Sequence, residues 1–303
     1  MNANKIILNN QVLIDLTQDT AIEEDVAEGK TFHKADGSIG VGNARVGAED
    51  LDDVLTEQET LLVELKATLN DKASGDVGLS PIEQMADGSI TEVYMPNATK
   101  IRENAFYNCE ALVNVVMPNV TSIEKNGFYG CRNLAIASLP EGLTSIGNNA
   151  FYDCQKLALT LLPDGVTSIA VSAFYGCNSL ALAFLPKGLT SINNYAFYDC
   201  SGLTEFTIHE GVTSIGQYAF CGCVNLELTS VPSTIKTING NCFHSCTSIT
   251  ALTFNGTPTS IASNAFNGCT NITTINVPWA EGEVANAPWG ATKATINYNY
   301  TGE

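Results

Sequence analysis

The sequence predicts a mainly β fold, a solenoid of about eight 23-residue turns with parallel strands, preceded by a small β-rich module and a coiled-coil-like helix. Three observations carry this. Cysteine recurs at 109, 131, 154, 177, 200, 223, 246 and 269, one step of 22 residues and then six of 23. The same apolar positions surround each cysteine: Ile101 to Ile261 eight residues before it, Phe106 to Phe266 three before, and Leu112 to Ile272 three after. An apolar run after the cysteine then ends at or near proline, at 96, 118, 140, 163, 186, 232 and 278, where a missing N–H and a restrained φ stop a strand. No turn of this size has an interior of its own, so each buries its apolar side against the next.

The order along the chain follows. Residues 1–47 read as an attachment module: KIILN, a turn at Asn9-Asn10-Gln11, VLIDLT, a short helix, and a hairpin at Ala35-Asp36-Gly37-Ser38. It is too small to be stable alone and is expected to lean on another chain or particle. Residues 48–73 carry Leu51, Leu55, Gln58, Leu62, Leu65 and Leu69 at steps of 4, 3, 4, 3 and 4, a heptad stripe that predicts an oligomerising helix with Gln58 setting register. A homo-oligomer is expected, a trimer before a dimer; the alternative is one amphipathic helix capping the solenoid. Residues 74–279 form the solenoid, beginning with a degraded repeat, GLSPIEQMADGSITEVYMP, as its N-terminal cap. Residues 280–303, with two prolines and Trp289, break the period as a C-terminal cap.

Within one turn, the run Leu-x-x-apolar-x-apolar-Pro, as in Leu112, Val115, Met117 and Pro118, predicts a strand with alternate residues inward. Ile146, Ala150, Phe151 and Cys154 represent the returning half, also inward. One cysteine per turn at one structural position reads as a ladder of buried free thiols rather than a disulfide framework.

Composition excludes several functions. Acidic residues outnumber basic ones 32 to 14, and no Lys/Arg stripe exists to neutralise phosphates, so nucleic acid is not expected as a partner. No run of eighteen apolar residues predicts membrane insertion, and the start MNANKIILNNQ reads as lacking a secretion leader.

The pattern LTSIGNNAFYDCxxL resembles the BspA-like class of leucine-rich repeats over residues 96–278, about three fifths of the chain. That resemblance implies a binding function of the kind found in bacterial cell-surface adhesins, which bind extracellular matrix or host proteins. It transfers no site, because the recurring residues are core. The first 72 residues, with KIILNNQVLIDLTQDT, KTFHKADGSIGVG and DVLTEQETLLVELKATL, resemble the front ends of tail, fibre and other virion-attached proteins of gut bacteriophages.

Two outward features are candidate contacts. Tyr107, Tyr129, Tyr152, Tyr175 and Tyr198 make a row between Phe and Cys, followed by Cys221, His244 and Asn267; its alternatives are sugar or protein contact and packing along the solenoid edge. Five and seven residues after the cysteine stand Ile136, Leu159, Leu161, Leu182 and Phe184, polar in most other turns. They predict an apolar patch for a second copy or a receptor, unless a one-residue shift of register turns them inward. Cys221, Cys223, Cys242, His244 and Cys246 make only a weak zinc signal; Cys221 and Cys242 read instead as thiols able to react or pair. No phosphate loop, HExxH or nucleophile elbow occurs, so neither catalysis nor a cofactor is expected. The sequence-based reading is a non-enzymatic virion protein, a fibre or tail component, that contacts other virion proteins through residues 1–47 and binds a host surface protein or glycan through its repeats. The alternative is a BspA-type adhesin at a bacterial surface.

Overall fold

The computed structural model describes residues 91–95 and 98–302, together with four short N-terminal strands. Those strands, β1 (Lys5–Leu8), β2 (Gln11–Asp15), β3 (Thr31–His33) and β4 (Ile39–Val41), pair antiparallel as β1 with β2 and β3 with β4. The heptad positions Leu51, Leu55, Gln58, Leu62, Leu65 and Leu69, and residues 74–90 of the expected cap, lie outside the described residues. No helix occurs among those that are described.

Residues 91–95 and 98–302 build a parallel β-solenoid, and its most regular ladder lies on the isoleucine side. One sheet runs β6 (Lys100–Ile101), β8 (Ser122–Ile123), β9 (Ser145–Ile146) and β10 (Ser168–Ile169); a second runs β11 (Ser191–Ile192), β12 (Ser214–Ile215), β14 (Thr237–Ile238) and β16 (Ser260–Ile261). All pairs are parallel and in register, isoleucine on isoleucine. The two sheets part between β10 and β11, where Asn193 turns its side-chain amide onto the Ile169 carbonyl at 2.6 Å; Asn239 makes the same contact to Ile215 at 2.8 Å, but there the main-chain N–H donates as well and the ladder continues.

The opposite side departs from the expected strand after every cysteine. Strands occur there at the two ends only: β5 (Glu92–Tyr94) on β7 (Asn114–Val116), and then β13 (Ser230–Val231), β15 (Ala251–Phe254), β17 (Thr274–Asn276) and β18 (Thr295–Asn297). Turns 2 to 5, those of Cys131, Cys154, Cys177 and Cys200, have no strand there, only the single parallel bridge of Phe184 to Thr207. Spacing sets which side chains are buried there: Leu134-x-Ile136-x-x-Leu139, Leu157-x-Leu159-x-x-Leu162 and Leu180-x-Leu182-x-x-Leu185 put two outward residues in succession, where turns 1, 7 and 8 read apolar-x-x-apolar-x-apolar; turn 6 shares the former spacing at Leu226, Leu228 and Val231 and still pairs at β13.

Between the two sides the core is a set of ladders. Phe106, Phe128, Phe151, Phe174, Phe197, Phe220, Phe243 and Phe266 stack with centroids 5.1 to 5.6 Å apart. The cysteines lie beside them, all ten free and all but Cys109 buried. From Cys131 onward each ladder thiol donates to the phenylalanine carbonyl of the preceding turn, as Cys154 does to Phe128 at 3.0 Å. In turns 1 to 7 two residues take positive φ, five before and one before the cysteine, as Asn149 (53°) and Asp153 (58°) do around Cys154; in turn 8 only Gly268 does. They bend the chain around the phenylalanine and suit Asn, Asp and Gly, the residues that visit this region most easily. At the C-terminal end Trp289 is fully buried against Phe254 and Trp279, and its carbonyl accepts from Phe266 N–H at 2.9 Å.

Candidate binding surface

The spacing of turns 2 to 4 decides where the expected patch residues go. Ile136, Leu159 and Leu182 are core, at 5, 0 and 1 % exposure, whereas Leu161 and Phe184 stand out at 50 and 54 %. The expected five-residue patch is thereby corrected: the residue five after the cysteine turns inward in these turns, and the one seven after it stays outside. The register shift that would reverse the assignment thus applies to three of the five.

A different surface replaces that patch. Leu161 and Phe184 hold the same place in adjacent turns, and Val116 holds it in turn 1. Four residues after the cysteine comes an exposed row of small apolar side chains, Val113, Ala135, Ala158 and Ala181, joined by Ala137 and Ala183. From 113–117, 135–139, 158–162 and 181–185 there is no charged residue. The backbone N–H groups of Ala137, Ser138, Thr160, Leu161, Ala183 and Phe184 make no hydrogen bond among the described residues. Sequence reasoning missed the alanine row, because a small residue four after the cysteine has no apolar signature of its own. Beyond turn 4 the same face becomes polar: Thr204, Glu205 and Thr207, then Glu227, Thr229 and Ser230.

The tyrosine row is assembled, but as a stack. Ring centroids from Tyr107 to Tyr198 are 4.8, 4.7, 4.4 and 4.4 Å apart and the planes are within 10° of parallel. Each inner ring covers its neighbour, leaving edges and hydroxyls rather than faces at the surface, so the row offers no stacking platform for sugars along its length. Side-chain hydrogen bonds join Tyr152 to Tyr175, Tyr175 to Tyr198 and Tyr198 to Cys221. Partial burial, and then the next tyrosine, push the pKa of Tyr129, Tyr152 and Tyr175 above its ordinary value. A second, shorter stack was not foreseen: Tyr195 and Tyr218, 5.0 Å apart, stand where other turns place Asn, with φ of 57° and 56°. The signal is that substitution of Asn by a bulky ring at a left-handed position.

Among the described residues no three His, Cys, Asp or Glu side chains converge on one point. Cys221 and Cys242 are both buried rather than open to reaction. Burial pushes the Cys221 thiol up to about 11 and Cys242 well above the ordinary range. His244 Nδ1 lies 2.8 Å from Ser245 Oγ. His209 stands where other turns carry proline, its ring nitrogens 2.9 Å from the Pro186 carbonyl and 2.7 Å from that of Glu210.

A family model described as the BspA type leucine-rich repeat region, in six copies, matches residues 85–201 and 167–286, about two thirds of the chain. The chain belongs to this leucine-rich-repeat family. Its isoleucine, phenylalanine and cysteine ladders are the repeat itself, so membership accounts for the core and leaves the outer faces to individual sequence. Among solved structures, it is similar to a leucine-rich repeat protein from Bacteroides ovatus, at 20 % identity over 69 % of this chain and 84 % of that one, TM-score 0.36. A leucine rich cell surface protein from Faecalibacterium prausnitzii matches at 23 % identity over 70 % and 80 %, TM-score 0.38. The pneumococcal vaccine antigen PcpA matches at 18 % over 70 % and 58 %, TM-score 0.47. No curated protein matches the chain. The family that matches is a repeat region, and no catalytic family is indicated. No helix among the described residues is long and apolar enough to cross a membrane.

Proposed function

We propose that this leucine-rich-repeat chain is a non-enzymatic adhesin-type protein that binds a partner at a cell surface or outside the cell, through the face of turns 1 to 4 that carries Leu161 and Phe184. The observation that carries the reading is the exposed pair Leu161 and Phe184 on a face without charge, in a chain whose formal net charge is −18. Exposed apolar area of several hundred Å², concentrated in one place, marks a contact, and family membership supports binding rather than catalysis. The virion reading rests on the resemblance of residues 1–72 alone, and no family or structural match supports it. The trimeric assembly expected from Leu51 to Leu69 is likewise a proposal, which sedimentation of the full chain tests.

The test of the surface is binding of the labelled full-length protein to intact bacterial and animal cells. Leu161→Asp with Phe184→Asp is expected to lower binding by more than ten-fold while shifting stability little, since both side chains are half exposed. Unchanged cell binding by a folded double variant would remove this face from consideration.

A further inference from the structure

The residue five before the cysteine lies on one left-handed bend in turns 1 to 7, with φ of 53° to 57° throughout. Equal dihedrals aim these side chains the same way, one turn above the next. In order they read Asn104, Asn126, Asn149, Ser172, Tyr195, Tyr218 and Asn241. The main chain holds the middle ones in sequence: Asn149 N donates to the Val171 carbonyl, and Ser172 N to that of Asn194, both at 3.0 Å.

Two ladders of different chemistry meet at Ser172. From one side comes a chain of amides: Asn126 Nδ2 donates to Asn104 Oδ1 at 2.8 Å, and Asn149 Nδ2 to Asn126 Oδ1 at 3.1 Å. Each amide gives an N–H to the turn before and accepts one from the turn after. Asn149 is the last of them, so its Oδ1 faces turn 4, and no donor reaches it among the described residues. From the other side comes the short aromatic stack, in which Tyr195 lies 5.0 Å from Tyr218 with planes 11° apart, while Tyr198 leans against it at 5.9 Å and 43°. The remaining face of Tyr195 looks back over Ser172, a side chain too short to cover it. Next to Ser172 stands Val171, 39 % exposed, where the other turns carry Glu, Lys, Asn, Gln, Gly or Ser.

We propose that Ser172 is the floor of a sugar-binding slot, in which a neutral hexopyranose of a glycan stacks its C–H face on Tyr195 and donates a hydroxyl hydrogen bond to Asn149 Oδ1. Two turns separate these walls, about 10 Å along the axis, so the space above Ser172 takes one six-membered ring as the missing member of the stack. One wall is flat and apolar and the other accepts a hydrogen bond. A pyranose matches both, with C–H groups on its face and hydroxyls at its edge; a phenyl ring would leave the amide oxygen unanswered. A neutral sugar is favoured over a sialic or uronic acid by the formal net charge of −18. The slot does not depend on the binding role of Leu161 and Phe184.

The full-length protein is titrated with methyl β-galactopyranoside, methyl β-glucopyranoside and methyl α-mannopyranoside, and with p-cresol as an aromatic probe, while saturation-transfer NMR reads the ligand protons. At least one sugar is expected to bind saturably in the millimolar range open to so small a ligand, with its ring C–H protons the most strongly saturated. Ser172→Tyr, which adds a third ring to the stack, should weaken that sugar more than ten-fold, and so should Ser172→Asn, which hands Asn149 Oδ1 a donor from within. Tyr195→Asn, which removes the ring face, should do the same. All three variants place on the bend a residue that neighbouring turns already carry there, and thermal melts check that each is folded. Leu161→Asp with Phe184→Asp should bind the sugar as the wild type does, which separates this slot from the apolar face. No saturable contact with any of the three sugars, or a sugar bound equally by the Ser172→Tyr protein, would overturn the slot. Tighter binding of p-cresol than of every sugar, lost in Ser172→Tyr, would overturn the sugar reading in favour of an aromatic side chain from a protein.

Discussion

The thiol of Cys177 donates to the main-chain oxygen of Phe151, one turn earlier, at 3.1 Å. Six other ladder cysteines do the same to the turn before them, at 2.9 to 3.1 Å. The cysteine is therefore both a small apolar filler and a second donor to a buried carbonyl, that of Phe151 also accepting from Cys154 N at 3.2 Å. Cys177→Ala removes the donor and leaves a small void, and should cost about 1–2 kcal/mol by chemical denaturation. Cys177→Ser keeps a donor on a shorter reach; a loss equal to or larger than that of alanine would show that volume, not the hydrogen bond, dominates.

Thiol chemistry should follow the same burial. Desolvation pushes Cys131, Cys154, Cys177, Cys200 and Cys223 well above the ordinary thiol range. Iodoacetamide at pH 8 should label the half-buried Cys109 first and the interior set only on unfolding, as mass spectrometry of labelled peptides would show. Rapid native labelling of Cys221 or Cys242 would contradict the packing described.

The acid limb of stability should depend on Glu210. Its carboxylate accepts from Ser233 N at 2.9 Å, Ser233 Oγ at 2.9 Å and Thr234 N at 3.2 Å, and the Ser233 amide above all holds its carboxyl below the ordinary 4.5. A depressed folded value means that the stabilisation is present above the unfolded value and fades as pH falls through the folded one. Glu210→Gln should therefore lower Tm at pH 7, and the difference should shrink below pH 4.5. A gap that stays constant to pH 2 would mean the carboxylate charge is not involved.

The alkaline limb belongs to the tyrosine stack. Burial first, and then neighbouring rings, raise Tyr152 and Tyr175 above 10.0. The unfolded chain ionises earlier, so stability is complete below pH 10 and falls above it. Absorbance at 295 nm during titration should show a late phase that disappears on denaturation, and Tyr152→Phe should reduce it.

Glycine before the cysteine tests the bend. Gly176 and Gly222 have φ of 70° and 77°, but a Cβ at Gly222 would strike the Asp199 carboxylate, whereas at Gly176 it would meet Asp153 Oδ1 at 3.4 Å. Gly176→Ala should cost about 1–2 kcal/mol from the left-handed backbone alone. Gly222→Ala should cost more, and Asp199→Ala should recover the excess; equal losses at both sites would place the whole effect in the backbone.

The period of the cysteines and the recurrence of Ile and Phe around them determined a parallel solenoid with ladders of those residues, because a repeated apolar position has nowhere to go but onto its counterpart one turn away. Tyrosine, in the same way, had to fall in a row. What the rows expose was not legible. Tyr152 reads as an aromatic surface until its faces are seen covered by Tyr129 and Tyr175, and Leu159 reads as outward because a period-two strand would make it so. Only the packed structure shows the pleat broken in turns 2 to 4, with Leu159 inside and Leu161 outside, since the placement of a residue within one turn is set by which side of its backbone the neighbouring turns leave free. Pairing is decided at the same level: Asp153 and Asp199 share one sequence context, and it is the residue one turn back, Arg132 or Asn178, that fills one carboxylate and leaves the other open.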